Sequence, residues 1–307
     1  TLYAEACASA DTWRDVITQW KLVDLDALAR AIDDLTATFP EAYPDGAGKR
    51  ARCAGFAAEI EAIRTSIATN EAGGWERAAE VVAFQREVLL ANPVLDFERL
   101  LLIRRQAGNL GLPANWESNC NLGRTGYHND LAVMSPFTST GDITTVFRPD
   151  DDTFVGDVDL HFGAARVLFS KSSTTASWQV YEMAIDPVSG AARSEPRQVT
   201  PNMGDDVNNY DACYLPSDEI IYSSTAPMVA VPCVNGGAAV ANLFSMQADG
   251  SGSRQLCFDQ EHGWCPTMLN NGRVLYSRWE YADLPHSNSR LLFHMNPDGT
   301  SQMEYYG

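Results

Sequence analysis

Several features that define common protein classes are missing from this chain of 307 residues. No uninterrupted apolar run approaches the roughly 18 residues that a membrane helix needs, so we predict no membrane span. The GxSxG, glycine-rich phosphate-loop and HExxH motifs are absent, and with them the usual sequence signs of hydrolases, nucleotide-binding enzymes and zinc proteases. No CxxC spacing occurs either, which excludes thioredoxin-like and zinc-ribbon motifs and covalent haem attachment through CxxCH in this stretch.

Basic residues are scarce. The chain has 22 Lys and Arg against 40 Asp and Glu, a net charge of −18. Nucleic-acid binding and docking on anionic lipid both need clustered positive charge, so neither is predicted. The acidic balance favours solubility, and recruitment of calcium or of a basic partner is the alternative.

The chain begins with threonine, and no basic stretch followed by an apolar segment comes after it. We expect that a targeting segment has been removed or that the chain is a fragment. Seven cysteines without metal-binding spacing favour an oxidising, periplasmic or extracellular location. Four of them form the candidate disulfide set: Cys213, Cys233, Cys257 and Cys265. Buried free thiols are the alternative.

Residues 1–93 have the apolar spacing of helices. Leu25, Leu28, Ile32, Leu35 and Phe39 recur at helical intervals, with Asp24 as a candidate N-cap. Similar stripes run from Phe56 to Ile67 and from Trp75 to Leu90. We predict a small helical bundle that acts as a scaffold or dimerisation element.

Residues 94–307 contain an internal repeat of short β-type runs. Three units, which align at Val167, Ile220 and Val274, each contain four short strands with a period of about 50 residues. A degenerate unit precedes them, beginning near Leu100. The predicted fold class is mainly β: a β-propeller of four-stranded blades after a helical N-terminal region. About four blades are present, so we expect the propeller to be incomplete in this chain.

The blade turns at Pro216–Asp218 and Asn270–Gly272 resemble those of TolB-type propellers. Six longer runs are similar to the family related to the hydrazine synthase α subunit: Leu112–Trp116, Arg124–Tyr127, Phe154–Phe162, Asn209–Pro216, Phe258–Thr267 and Pro285–Asn288. The resemblance implies an exported propeller scaffold. The family's namesake is a multi-haem enzyme, so any haem would lie on segments outside this chain or on a partner.

Two groups of residues are candidate metal sites. Asp157, Asp159 and His161 alternate in a predicted strand and should share one face, where they could bind a divalent cation. The alternative is a polar lining of the propeller channel. Cys257, His262 and Cys265 lie within nine residues and could bind zinc or form a disulfide.

A third group is a polar loop with several Asp and Asn side chains, whose oxygens are the ligands that calcium prefers. Its members are Asp205, Asp206, Asn208, Asn209 and Asp211, and a solvated loop is the alternative.

The repeat indicates a propeller, and the resemblance implies the scaffold or interaction portion of an exported hydrazine-synthase-α-like protein that could serve as a subunit of a multi-haem redox complex. If the protein is an enzyme, it is a haem-dependent oxidoreductase whose haem lies outside this segment, and the sequence identifies no catalytic residue. The alternative is a colourless propeller module that binds a protein or a glycan. The expected partner is another protein or the remainder of the same polypeptide.

Overall fold

The computed structural model describes residues 12–113, 117–138, 141–173, 177–231, 236–279 and 290–307. The chain divides into a helical unit, residues 1–98 with 137–140, and a propeller unit, residues 99–136 with 141–307. Within the described ranges, no helix combines the length and apolarity that crossing a bilayer requires. Cys233 lies outside the described residues, as do Pro285–Asn288 and the last three residues of Leu112–Trp116.

The helical unit contains α1 (Leu25–Thr38), α2 (Gly46–Ala68) and α3 (Gly74–Leu90), and residues 12–20 are also helical. The predicted N-cap is confirmed, because the Asp24 carboxylate accepts a hydrogen bond from the Ala27 N–H at 2.8 Å. The predicted stripes pack into one apolar core that includes Ile32, Phe56 and Phe84.

The propeller unit contains four antiparallel sheets, in which each strand pairs with the next along the chain. Sheet 1 has three strands and sheets 2 to 4 have four, as the repeat predicted. Their bounds are β1 Leu100–Arg105, β2 Asn129–Ser135 and β3 Asp142–Phe147; β4 Val155–Leu160, β5 Arg166–Lys171, β6 Gln179–Ala184 and β7 Arg197–Gln198; β8 Asn209–Tyr214, β9 Ile220–Ser224, β10 Asn242–Met246 and β11 Arg254–Gln255; β12 Gly263–Met268, β13 Val274–Arg278, β14 Leu291–Met295 and β15 Met303–Tyr306.

Consecutive sheets pack face to face through separate apolar cores. Leu131 and Phe169 belong to the core between sheets 1 and 2, and Leu168 and Tyr222 to that between sheets 2 and 3. The core between sheets 3 and 4 includes Cys257 and Tyr276. This stacking of four-stranded sheets is the blade packing of a β-propeller, which confirms the predicted fold class. The sheets of the described residues do not close into a ring.

The first strands of sheets 2, 3 and 4 lie next to one another on the inner side of the stack, since β8 contacts both β4 and β12. The turns that leave these strands are equivalent. Each turn has one residue with positive φ, namely Ala164, Asp218 and Gly272. The inner strand and the start of its turn therefore recur through sheets 2, 3 and 4, although the turn of sheet 2 is one residue longer than the other two.

Candidate functional site: the inner-strand cluster

A β-bulge interrupts each of the three inner strands β4, β8 and β12 at the same place. The bulges contain Asp157, Asp211 and Cys265, with φ of 48°, 54° and 56°. These residues are evenly spaced, 54 residues apart. A side-chain-bearing residue in the left-handed region costs about 1–2 kcal/mol, and such residues concentrate at functional sites. We call Asp157, Asp211 and Cys265, together with Asn119 and Ser170, the inner-strand cluster.

Hydrogen bonds connect the cluster across three sheets. The Cys265 N–H donates to the Asp211 carboxylate, and the Asp211 N–H donates to Ser170 Oγ at 2.7 Å. Asn119 Nδ2 donates to Asp157 Oδ2 at 2.5 Å. The backbone N–H of the bulged residue in β8 and in β12 thus donates to a side chain of the preceding sheet.

The carboxyls of the cluster retain protons at unusually high pH. Burial raises the pKa of Asp157, although hydrogen bonds from Ser170 and Asn119 and the charge of Arg105 oppose the rise. Burial and then the Asp157 carboxylate raise the pKa of Asp211 to about 7. Loss of hydration, followed by the Asp211 charge, raises the pKa of the Cys265 thiol. The cluster therefore provides two carboxyls whose protonation depends on each other, with Asp211 titrating near neutral pH, and a thiol that stays protonated there.

Arg105 is the cationic neighbour of the cluster. Its guanidinium lies over the Phe154 ring at 4.3 Å, and its Nη1 donates to the Leu110 carbonyl at 2.7 Å. Gly156 leaves the room for this side chain, since a Cβ there would lie 2.4 Å from Arg105 Nη2. The charge of Arg105 partly offsets that of Asp157 inside the propeller unit.

The predicted alternation of Asp157, Asp159 and His161 on one face is wrong, because the bulge at Asp157 breaks the two-residue period of β4. Asp159 accepts a hydrogen bond from the Tyr214 N–H at 2.9 Å. His161 Nε2 lies 2.8 Å from an Asp218 carboxylate oxygen. The three side chains contact different partners rather than a common centre.

Cys257, His262 and Cys265 are also separated. Cys257 lies in the core between sheets 3 and 4, where burial and then Asp259 raise the pKa of its thiol to about 12. His262 is buried, stacks on Trp279, and accepts a hydrogen bond from the Ala241 N–H through Nδ1 at 3.1 Å. Cys265 belongs to the inner-strand cluster. Neither the zinc site nor a disulfide between the two cysteines is formed.

The remaining candidates have diverse environments. Cys213, Cys257 and Cys265 each carry a free thiol, and no disulfide joins any two of them; Cys233, the fourth predicted partner, lies outside the described residues. In the polar loop, Asn208 accepts from a backbone N–H, and Asn209 donates to a glutamine side chain. Asp211 points into the inner-strand cluster instead. Within the described ranges, no three or more His, Cys, Asp or Glu side chains form a metal-binding group.

Sequence reasoning missed most of the inner-strand cluster. It selected Asp157, Asp211 and Cys265 in three unrelated groups, whereas their even spacing along the repeat marks them as equivalent positions. Ser170 carries the same signal, because Ser223 and Ser277 occupy the equivalent strand positions in the next two repeats. Asn119 carries none, because it reaches the cluster through a tertiary contact alone.

No protein-family model and no curated protein matches the sequence. Among solved structures, the chain is similar to hydrazine synthase from Kuenenia stuttgartiensis, at 15% identity and a TM-score of 0.53, covering 69% of this chain and 32% of that one. TolB proteins from Agrobacterium tumefaciens and Acinetobacter baumannii match at 15% and 13% identity, with TM-scores of 0.41 and 0.39. They cover 57% and 58% of this chain, and 56% and 38% of their own chains. This chain thus spans about a third of the hydrazine synthase chain and about half of the first TolB chain. At this identity the hydrazine synthase likeness shows the fold.

Proposed function

We propose that this chain is the propeller scaffold of an exported hydrazine-synthase-α-like protein and that the inner-strand cluster is its binding site for a ligand or partner subunit. The observation that carries the proposal is the recurrence of Asp157, Asp211 and Cys265 at equivalent bulges. The fold likeness to hydrazine synthase supports the scaffold role. The periplasmic or extracellular location belongs to the same proposal and rests on the family resemblance.

The inner-strand cluster lowers the stability of the fold and is not needed to hold the sheets together. Apolar cores already join sheet 3 to sheet 2 and to sheet 4. The bulges add left-handed backbone and two carboxyls that repel each other. Groups of this kind persist where binding or chemistry needs them, because they lower the stability of the fold on their own.

Haem enters the proposal only through a partner or another segment. The sequence has no CxxCH, so these residues do not fit a covalently attached haem. Among the described histidines, His161 is engaged with Asp218, and His262 is buried and accepts a backbone hydrogen bond through Nδ1. We therefore assign this chain the scaffold and docking role within a redox complex, with electron transfer elsewhere.

Purification of the tagged full-length protein from its native host tests the proposal. We expect a partner at fixed stoichiometry and a Soret band in the complex. The Asp211→Asn and Cys265→Ala variants should recover less partner, whereas Asp249→Asn, a change in an exposed turn of sheet 3, should recover it normally. Wild-type chain that is monomeric and colourless in native extract would contradict the proposal. A colourless complex with a stoichiometric partner would instead identify a binding module.

A further inference from the structure

A charged cavity of about 400 Å³ lies at one end of sheet 1. Its lining includes Arg104 at the end of β1, Asp130 at the start of β2 and Arg148 just after β3. Arg105 and Asp152 complete the formally charged lining. Three guanidinium groups thus face two carboxylates, which gives the cavity the opposite sign to a chain of net charge −18.

Asp130 fixes two of the arginines. Its carboxyl side chain is 1% exposed and accepts hydrogen bonds from Arg104 Nε at 2.8 Å, Arg148 Nη2 at 3.0 Å and Thr145 Oγ1 at 2.5 Å. Arg104 Nη2 donates to the same carboxylate, which makes that pair bidentate. Burial alone would raise the pKa of Asp130, but the donors from Arg104, Thr145 and Arg148 lower it to about 2. The carboxylate is therefore ionised at neutral pH, and both of its oxygens accept hydrogen bonds from these side chains.

Both arginines keep donors that this carboxylate does not use. Among the described residues, no protein acceptor contacts Nη1 of Arg104, or Nε and Nη1 of Arg148. The two side chains are 39% and 63% exposed, so these donors open to solvent at the cavity. A guanidinium held in place with free N–H groups is preorganised for planar, bidentate recognition of an oxyanion.

We propose that this cavity binds a small oxyanion, the phosphate or carboxylate group of a small molecule, through the free donors of Arg104 and Arg148. Asp130 acts as the positioning residue, because it sets the orientation of both guanidinium groups without contacting the ligand. Asp152, which is 63% exposed, lies at the edge of the cavity beside His128, 3.9 Å from its Nδ1.

The test uses the full chain and two probes, sodium phosphate and sodium succinate, each titrated against sodium chloride at matched ionic strength. Calorimetry should detect saturable binding of at least one probe. The Arg148→Gln variant should bind on the order of tenfold more weakly, about 1.4 kcal/mol, since it loses a charge-assisted hydrogen bond to the oxyanion. Arg148→Lys should restore part of the affinity, because lysine keeps the charge but not the fork.

The matched control is Arg197→Gln. Arg197 is 56% exposed and pairs with one carboxylate, Glu182 Oε2 at 3.2 Å, away from the cavity. The Arg197→Gln variant should bind phosphate and succinate as the wild type does. Failure of both probes to bind the folded wild-type protein would overturn the proposal, and so would equal binding by the Arg148→Gln variant. Circular dichroism of each variant separates lost binding from lost folding.

Discussion

Replacing Asp211 with asparagine removes the carboxyl whose pKa the inner-strand cluster raises from 3.8 to about 7. At pH values between these two, the folded chain holds a proton that the unfolded chain has lost. The stabilisation is therefore complete below the unfolded pKa and is lost as the pH rises through the folded pKa. Three pKa units correspond to at most about 4 kcal/mol of unfolding free energy, of which about 3 kcal/mol falls between pH 5 and pH 8.

The assay is urea unfolding of the wild type and the Asp211→Asn variant at pH 5 and pH 8. Asparagine keeps an oxygen that can accept from the Cys265 N–H, so the variant should fold. Between the two pH values, the wild type should lose about 3 kcal/mol more than the variant. Asp249→Asn, whose carboxyl is exposed, should follow the wild type.

Parallel pH dependence in the wild type and the variant would refute the reasoning, because it would mean that the cluster does not raise the pKa of Asp211. The Asp157→Asn variant provides an internal check. Removing the Asp157 carboxylate should lower the pKa of Asp211, which NMR titration of that carboxyl would measure directly.

Three further predictions concern other parts of the propeller unit. Asp130→Asn should lower the unfolding free energy by about 2 kcal/mol at pH 7, and urea unfolding should show the difference shrinking as the pH falls from about 4 towards 2, where the native carboxylate is protonated as well. Gly156→Ala should cost about 1–3 kcal/mol in the same assay, because the new Cβ meets Arg105 and Phe154. Iodoacetamide labelling with mass spectrometry should find Cys257 protected until the protein unfolds, since it is buried and its pKa is raised to about 12; rapid labelling in the folded state would contradict this.

The helices and strands could be predicted because local patterns determine them. The stripe from Leu25 to Phe39 with its Asp24 cap, and the short apolar runs between turn residues, mark where the elements lie, although packing against other parts of the chain stabilises them. The repeat then implied how the sheets stack. The bulges could not be predicted in this way, because one extra residue at Asp157 breaks the alternation along β4 without leaving a local pattern of its own.

The candidate sites were harder to predict for a topological reason. Cys257 follows the outer strand of sheet 3, and Cys265 lies in the inner strand of sheet 4, so the connection between them crosses from the outer to the inner side of the unit. Neighbours in sequence are therefore separated in space. Conversely, Ser170 and Asp211 are 41 residues apart and share a hydrogen bond. Closeness in sequence therefore carries little information about these contacts, whereas the 54-residue period of the bulges does.

Three hydrogen bonds between neighbouring sheets run in the same direction, from an inner-strand N–H to an acceptor of the preceding sheet. Ser170 and Asp159 of sheet 2 accept from N–H groups of sheet 3, and Asp211 of sheet 3 accepts from an N–H group of sheet 4. Because a ribosome delivers the amino-terminal part of a chain first, each new inner strand would arrive beside a blade that already presents its acceptor. Stalled nascent chains should then gain protease resistance in steps, one at the completion of each sheet. A single late gain would show that the blades wait for one another.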